Sequence, residues 1–176
     1  NKDNPFFLYY ATPLVHGPLV VKQLHTFKDT TGWSLRHKLW ATMVQELDRS
    51  VGVILNEVGK LDLARNTIIL FASDNGYAGY TSGGSSEDDP LFRNKGPWHR
   101  GKHINCHGGV IVPFIAWAPG RVPGDTATER AIGFTDFMAT AAELAGAPLP
   151  GPTDGVSFVP LLEGRETDQP VHPAMF

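Results

Sequence analysis

Residues 67–76 read TIILFASDNG, a short apolar run with a polar end. The first six side chains are apolar or β-branched and do not alternate with polar ones, which is typical of a strand covered on both faces. Such strands belong to parallel sheets that carry helices on each side. Asp74, Asn75 and Gly76 cannot continue a buried strand, so we expect the chain to leave the sheet there.

Two further apolar runs predict buried strands. Residues 6–11 read FFLYYA, and residues 110–117 read VIVPFIAW with Pro113 as an interruption. Aromatic and β-branched side chains in short runs favour strands, and flanking proline or glycine marks their ends. The sequence therefore predicts at least three buried strands.

The clearest helix is predicted over residues 35–58. Apolar side chains recur there at spacings of three and four, and charged ones fill the opposite face. Ser34 is a plausible N-cap, and Gly59 a plausible end.

A second helix is predicted over residues 137–145, capped by Thr135 or Asp136 and ended by Gly146. Helices that alternate with short buried strands indicate an α/β fold with a mostly parallel central sheet.

Composition identifies a globular chain and excludes two function classes. The chain has 176 residues, of which 41% are hydrophobic and 19% charged, with a net charge of −3. Its basic residues are scattered, which argues against nucleic acid as a partner. Its longest apolar stretches are too short to cross a bilayer. Cys106 is the single cysteine, so an intrachain disulfide is excluded.

The first residues read as the interior of a domain, because a core-like run follows almost at once. We therefore expect residues 1–176 to form a single partial domain whose earlier half lies upstream. The absence of a visible signal peptide then carries little information.

Residues 77–104 predict a long loop rich in glycine, serine, aspartate and proline. A loop of that length inside a compact domain is usually functional. In α/β sheets, ligands bind beyond the carboxyl ends of the strands. Three groups stand at such places: His16, the pair Asp74-Asn75, and Lys102.

Each of these groups also has a plainer interpretation. Asp74-Asn75-Gly76 favours a turn, and alternatively supplies a carboxylate and an amide oxygen to Ca²⁺ or Mg²⁺. Lys102 reads as a solvated surface lysine, and His16 as a loop histidine with a satisfied hydrogen bond.

Taken together, the motifs resemble the sulfatase family, arylsulfatase-like, within the alkaline-phosphatase-like superfamily. Any single match is weak, whereas the collinear series covers nearly the whole chain. The matching segments, in chain order, are residues 6–9, Pro13 with 16–19, 43–52, 66–76, Lys102 with 108–109, 112–115, 117–120, 135–136, 144–146 and 154–162.

The resemblance implies a partial α/β/α sandwich and a metal-assisted hydrolysis of sulfate monoesters, aryl or carbohydrate. By position, Asp74 and Asn75 match the family's downstream Ca²⁺ ligands, with Mg²⁺ as an alternative. Lys102 and His16 match the catalytic residues that contact the sulfate group. Fixed cations stabilise developing negative charge, and a protonated side chain can supply the departing alcohol with a proton.

The sequence departs from the family pattern in three ways. The family's formylglycine nucleophile is made from a Cys/Ser-X-Pro/Ala-X-Arg motif, which does not occur here. Cys106-His107 stands where the family usually has Tyr-Glu, and Cys106 reads as a small structural thiol. The upstream acids and the C-terminal subdomain of the family are missing as well. We therefore expect this chain alone to be inactive.

His99, His103 and His107 recur every four residues, a spacing that would align three zinc ligands on a helix. Gly96, Pro97 and Gly101 argue against a helix there. We expect instead that His99 and His103 line the substrate pocket.

Two other functions stay open from the sequence. One is a phosphatase, phosphonate hydrolase or phosphotransferase of the same superfamily, which commonly prefers Zn²⁺ or Mn²⁺. The other is a non-catalytic binding module that keeps the fold. Family habit favours a periplasmic, lysosomal or secreted location, and the oligomeric state stays open.

Overall fold

The computed structural model describes residues 3–80, 89–170 and 172. Its helices are α1 (Leu35–Lys60), α2 (His107–Val110), α3 (Asp136–Ala145) and α4 (Val159–Leu162), and its strands are β1 (Ile69–Ala72) and β2 (Phe114–Trp117). Single 3₁₀ turns lie at His25–Phe27, Ala64–Asn66 and Glu166–Asp168. No helix among the described residues has both the length and the apolar character to cross a membrane.

The chain groups into two compact units. The first comprises residues up to 63 together with residues 71–115, and the second comprises residues 64–70 together with those from 116 onward. All the candidate residues predicted from the sequence lie in the first unit.

Helix α1 confirms the strongest prediction from the sequence. Ser34 caps it in a reciprocal pair: its hydroxyl accepts from the His37 amide at 3.2 Å, and His37 Nδ1 accepts from the Ser34 amide at 3.4 Å. Such a pair satisfies two of the amides that every helix start leaves without partners. The buried face of α1 includes Ala41, Met43 and Val58.

The predicted end of α1 at Gly59 is wrong, because the helix continues to Lys60. Glycine inside a helix costs about 1 kcal/mol relative to alanine, and one such residue does not break it. The chain turns instead at Asp62, whose φ is 56°. Aspartate adopts this left-handed conformation more readily than most residues.

The two strands form a two-stranded sheet in which they run antiparallel. The α/β class is confirmed, whereas the mostly parallel central sheet is not: the described residues contain this sheet alone. Strand β1 lies inside the predicted run, and its first three residues are half-buried. The complete coverage expected on both faces is therefore not observed.

The strand predicted over residues 110–117 begins later than expected. Val110 closes α2, where the Ile111 amide donates to the His107 carbonyl at 2.8 Å. Pro113 has no amide hydrogen to donate to a ladder, and β2 starts directly after it.

The strand predicted over residues 6–11 is wrong for this structure. These residues have no regular structure, and the side chains from Phe6 to Tyr10 are between 51% and 81% exposed. A strand needs a neighbour that pairs regularly with its amides and carbonyls, and these residues are not part of the sheet that β1 and β2 form.

In the second unit, α3 confirms the predicted helix and its end. Gly146 follows with φ 61°, the left-handed conformation that glycine adopts without a steric penalty. Neither predicted cap holds the helix start in the usual way: Thr135 makes no side-chain cap, and Asp136 is the first helical residue. The buried Asp136 carboxylate instead accepts from the amides of Gly133 and Val156, both at 2.8 Å.

Candidate functional site

The ends of the long loop meet through backbone contacts between glycines. The Gly76 amide donates to the Gly109 carbonyl at 3.0 Å, and the Lys102 amide donates to the Tyr77 carbonyl at 2.6 Å. A Cβ atom at Gly76 would collide with the Gly108 carbonyl oxygen, and one at Gly101 with the Tyr77 carbonyl oxygen. Only glycine permits these approaches. We call residues 76–77, 101–102 and 108–109 the loop neck.

The loop neck brings the backbone of Lys102 against that of Tyr77, which follows Asn75 by two residues. Asp74 lies exposed two residues past β1, while Asn75 and Lys102 are half-buried. Asn75 Nδ2 donates to the Gly76 carbonyl at 3.1 Å, and Ser73 Oγ donates to the Asn75 carbonyl at 3.0 Å. Because the Asn75 side-chain nitrogen donates, the side-chain oxygen is the atom of this residue that a cation would contact.

As a metal site, this donor set has the right chemistry and an incomplete shell. Carboxylate and amide oxygens suit Ca²⁺ and Mg²⁺, but Ca²⁺ takes six to eight oxygens and two side chains supply a minority of them. Within residues 3–80, 89–170 and 172, no group of three or more histidine, cysteine, aspartate or glutamate side chains is placed to hold a metal.

His16 reaches the same region through Tyr80. Its ring is exposed and meets the Tyr80 ring edge to face, with 5.5 Å between the ring centroids. His16 Nδ1 lies 2.7 Å from the Gly17 carbonyl, so this nitrogen carries the hydrogen and donates it. Tyr80 follows Tyr77 of the loop neck by three residues, so the segment 77–80 contacts His16 at one end and the backbone of Lys102 at the other.

A hollow of about 370 Å³ lies next to the loop neck and is lined by His99, Asn105, Cys106, His107 and Val110. His99 lines this hollow and His103 is not among its lining residues, while their predicted role in binding substrate stays a prediction. His103 lies outside any helix with φ 75°, and only His107 of the three histidines is helical. The His107 ring packs edge to face against Trp98 at 5.6 Å.

A second, larger hollow of about 490 Å³ lies beside His16. Its wall, which the sequence did not indicate, consists of Gly17, Pro18, Leu19, Leu35, Arg36, Leu39 and Tyr80. Loop residues such as Tyr80 have no periodicity that would mark them, and the α1 residues read simply as a helix start.

The middle of the long loop is fastened to the start of α1 by Asp89, which is 2% exposed. Its Oδ2 accepts from His37 Nε2 at 2.9 Å, and its Oδ1 accepts from the amides of Leu91 at 2.9 Å and Phe92 at 3.1 Å. Burial by itself would raise the pKa of this carboxyl, but the bond from His37 and the two amide bonds outweigh burial, so the pKa lies below its ordinary value.

An aromatic cluster surrounds this anchor. The Phe92 ring meets the rings of Trp33, His37 and Trp40 at centroid distances of 5.1, 5.5 and 5.3 Å. Because His37 Nδ1 accepts from Ser34, its hydrogen sits on Nε2 and points at Asp89. One imidazole thus serves both the cap of α1 and the anchor of the loop.

Known proteins match this chain over most of its length. It is 34% identical to N-acetylgalactosamine-6-sulfatase of the dog, Canis lupus familiaris, over 96% of this chain and 31% of that protein. It is 35% identical to human arylsulfatase A over 93% of this chain and 30% of that protein. The chain therefore spans about a third of the length of these curated relatives.

Solved structures agree. The crystal structure of Ps i-CgsB in complex with k-i-k-neocarrahexaose matches with a TM-score of 0.71 and 33% identity, covering 84% of this chain and 31% of that one. A Bacteroides thetaiotaomicron protein from work on glycosaminoglycan metabolism matches with a TM-score of 0.70 and 28% identity, covering 93% of this chain and 34% of that one. The sulfatase family profile matches residues 1–147. The resemblance seen in the sequence is confirmed, and the chain belongs to the sulfatase family.

Proposed function

We propose that this chain is part of a sulfuric ester hydrolase that cleaves aryl or carbohydrate sulfate monoesters. The observation that supports the proposal is the loop neck, in which the Lys102 amide donates to the carbonyl of Tyr77, two residues after Asn75. Family membership supports sulfate ester hydrolysis in general.

The proposed roles follow from the chemistry of the ester. A sulfate monoester spreads one negative charge over three oxygens and releases an alkoxide or phenoxide. The Lys102 ammonium would neutralise part of that charge, and such electrostatic stabilisation is usually the largest catalytic term. His16, protonated on Nε2, would donate its proton to the departing oxygen.

In this proposal Asp74 and Asn75 hold a Ca²⁺ ion, or Mg²⁺, together with acids from outside this chain. When bound, the ion acts as a Lewis acid and orients the sulfate group. A formylglycine supplied by the rest of the enzyme would be the nucleophile, so this chain by itself would be inactive. We further propose that the complete domain is an α/β/α sandwich with a mostly parallel sheet, and that it works in a periplasmic, lysosomal or secreted setting.

The proposal is tested on the full-length enzyme that carries this chain, by comparing turnover of an aryl sulfate and the matching aryl phosphate. We expect faster sulfate turnover, because Asp74 is accompanied by an amide rather than by further histidine and aspartate ligands. Lys102→Ala should lower kcat for the sulfate by roughly 10²–10³-fold, the size seen when one charge-stabilising donor is removed.

Lys60→Ala is the matched control, because this lysine lies at the end of α1 and pairs with Glu57 on the surface. Its turnover should equal that of the unmodified enzyme. Faster phosphate turnover would identify a phosphatase of the same superfamily, and no turnover of either ester would favour a binding module. Cys106-His107 is the departure from the family pattern that gives the binding module some support.

A further inference from the structure

The hollow beside His16 has the size and lining of a small-molecule site. Its volume of about 490 Å³ falls within the roughly 300–1,000 Å³ typical of ligand pockets. Apart from Arg36 and the hydroxyl of Tyr80, its wall consists of glycine, proline and leucine. An apolar wall with a few polar groups is the usual composition of a pocket that binds an organic ring.

Tyr80 forms a wall shared by this hollow and His16. One part of its ring packs against the imidazole, and a Cβ atom at Gly17 would lie 3.0 Å from its Cε1. Arg36 fixes the backbone behind this ring, because its NH1 donates to the Tyr80 carbonyl at 2.8 Å. The hollow and the proposed proton donor are therefore neighbours with a defined spacing.

The charges of the wall narrow the class of ligand. Among the described residues that line the hollow, Arg36 is the single charged side chain and none is a carboxylate. A guanidinium stacks on aromatic faces and tolerates a nearby anion. The ring of Tyr80 can also pack against an aromatic ligand, either by its edge or by its face. This combination favours a flat aromatic ring that carries negative charge at one end.

We propose that this hollow binds the alcohol part of the ester, as an aromatic ring, with the sulfate group directed towards His16. The inference rests on the proposed function, because it assigns the two ends of one substrate to two neighbouring places. Leu19, Leu35 and Leu39 would cover the ring, and Tyr80 would set its distance from the imidazole. Those four side chains would then determine which aryl sulfates the enzyme accepts.

The test uses the chain as it is and three ligands: 2-naphthyl sulfate, 2-naphthol and inorganic sulfate. Binding is measured by naphthyl fluorescence and by calorimetry. We expect both naphthyl compounds to bind and inorganic sulfate to bind more weakly than either. Leu39→Asp, which places a carboxylate in the wall, should weaken both naphthyl compounds at least tenfold.

Val53→Asp is the matched control, because Val53 lies on the same helix, is 60% exposed and does not line the hollow. It should change neither affinity by more than twofold. If Leu39→Asp does not fold, nuclear Overhauser contacts between naphthyl protons and the methyl groups of Leu19 and Leu39 in the unmodified chain decide the matter. Absence of naphthol binding, binding that Leu39→Asp leaves unchanged, or contacts to other methyl groups would overturn the proposal.

Lys102→Ala separates this inference from the proposed function. If both are right, the variant weakens 2-naphthyl sulfate and leaves 2-naphthol unchanged. If 2-naphthyl sulfate is also unchanged while Leu39→Asp still weakens both compounds, the pocket stands and the sulfate assignment of Lys102 fails.

Discussion

Replacing Asp89 with alanine removes the acceptor of three hydrogen bonds from a place that water barely reaches. The amides of Leu91 and Phe92 and the imidazole of His37 would all lose their partner. Removing one member of a buried, hydrogen-bonded pair typically costs about 3–5 kcal/mol, and we expect Asp89→Ala to lower the free energy of unfolding by that amount.

Asp89→Asn provides an intermediate step, because its amide oxygen can still accept from both backbone amides. Its NH₂ group would face His37 Nε2–H, donor against donor. The alternative tautomer would place a hydrogen on Nδ1, where the Ser34 amide already donates. We therefore expect a loss of about 1–3 kcal/mol, the cost of one unsatisfied buried group.

Urea denaturation followed by tryptophan fluorescence measures both losses, because the rings of Trp33 and Trp40 contact Phe92 beside the anchor. Asp48→Asn serves as control: Asp48 is exposed on α1, and surface changes usually stay within about 0.5 kcal/mol. If Asp89→Ala costs no more than this control, the anchor contributes nothing and the reasoning is refuted.

The same anchor predicts a pH dependence with a definite sign. The pKa of Asp89 is lowered in the folded chain, so its contribution to stability is complete above the ordinary value of 3.8. As the pH falls below that value and through the lowered folded pKa, the contribution is lost. Denaturation at a series of acidic pH values should show a smaller stability loss in Asp89→Asn than in the unmodified chain.

Three further outcomes are expected. Gly146→Ala should lower the free energy of unfolding by about 1 kcal/mol in thermal denaturation, because a φ of 61° strains any residue with a side chain. Gly124→Ala is the control and should be nearly neutral, because Gly124 lies outside the left-handed region and has open space around it. Thr140→Val should cost about 1–3 kcal/mol, since the buried Phe158 amide loses its acceptor at 3.0 Å; an unchanged melting temperature would contradict this. Finally, the isolated chain should bind Ca²⁺ weakly or not at all, and submicromolar affinity in calorimetry would contradict the two-ligand count.

Local interactions explain which parts of the fold the sequence predicts. Helix α1 follows from its own periodicity and from Ser34, and α3 ends at a glycine whose conformation suits a helix end. Residues 6–11 have the composition of a strand, yet a strand exists only beside a partner, and pairing depends on residues far away in the chain. Their exposure in this structure shows that a composition favouring strands does not by itself produce a paired strand.

The candidate site divides in the same way. Asp74, Asn75 and Lys102 stand out in the sequence because they lie beside predicted strands, and their proposed roles come from the resemblance to the sulfatase family. Tyr80 could not be singled out from the sequence, because its importance arises from a contact with His16, which lies 64 positions earlier in the chain. A contact between two loops leaves no periodic trace in the sequence.

The glycines at the loop neck have a consequence for how such enzymes diversify. Backbone meets backbone there without an intervening side chain, so the two ends of the loop are fastened independently of what lies between them. Apart from Asp89, residues of the intervening segment can be exchanged, added or removed while the backbone at Gly76 and Lys102 keeps its place, since long loops tolerate such changes at small energetic cost. Under the proposed roles of Asp74, Asn75 and Lys102, new substrate preferences can thus evolve while these three residues stay unchanged.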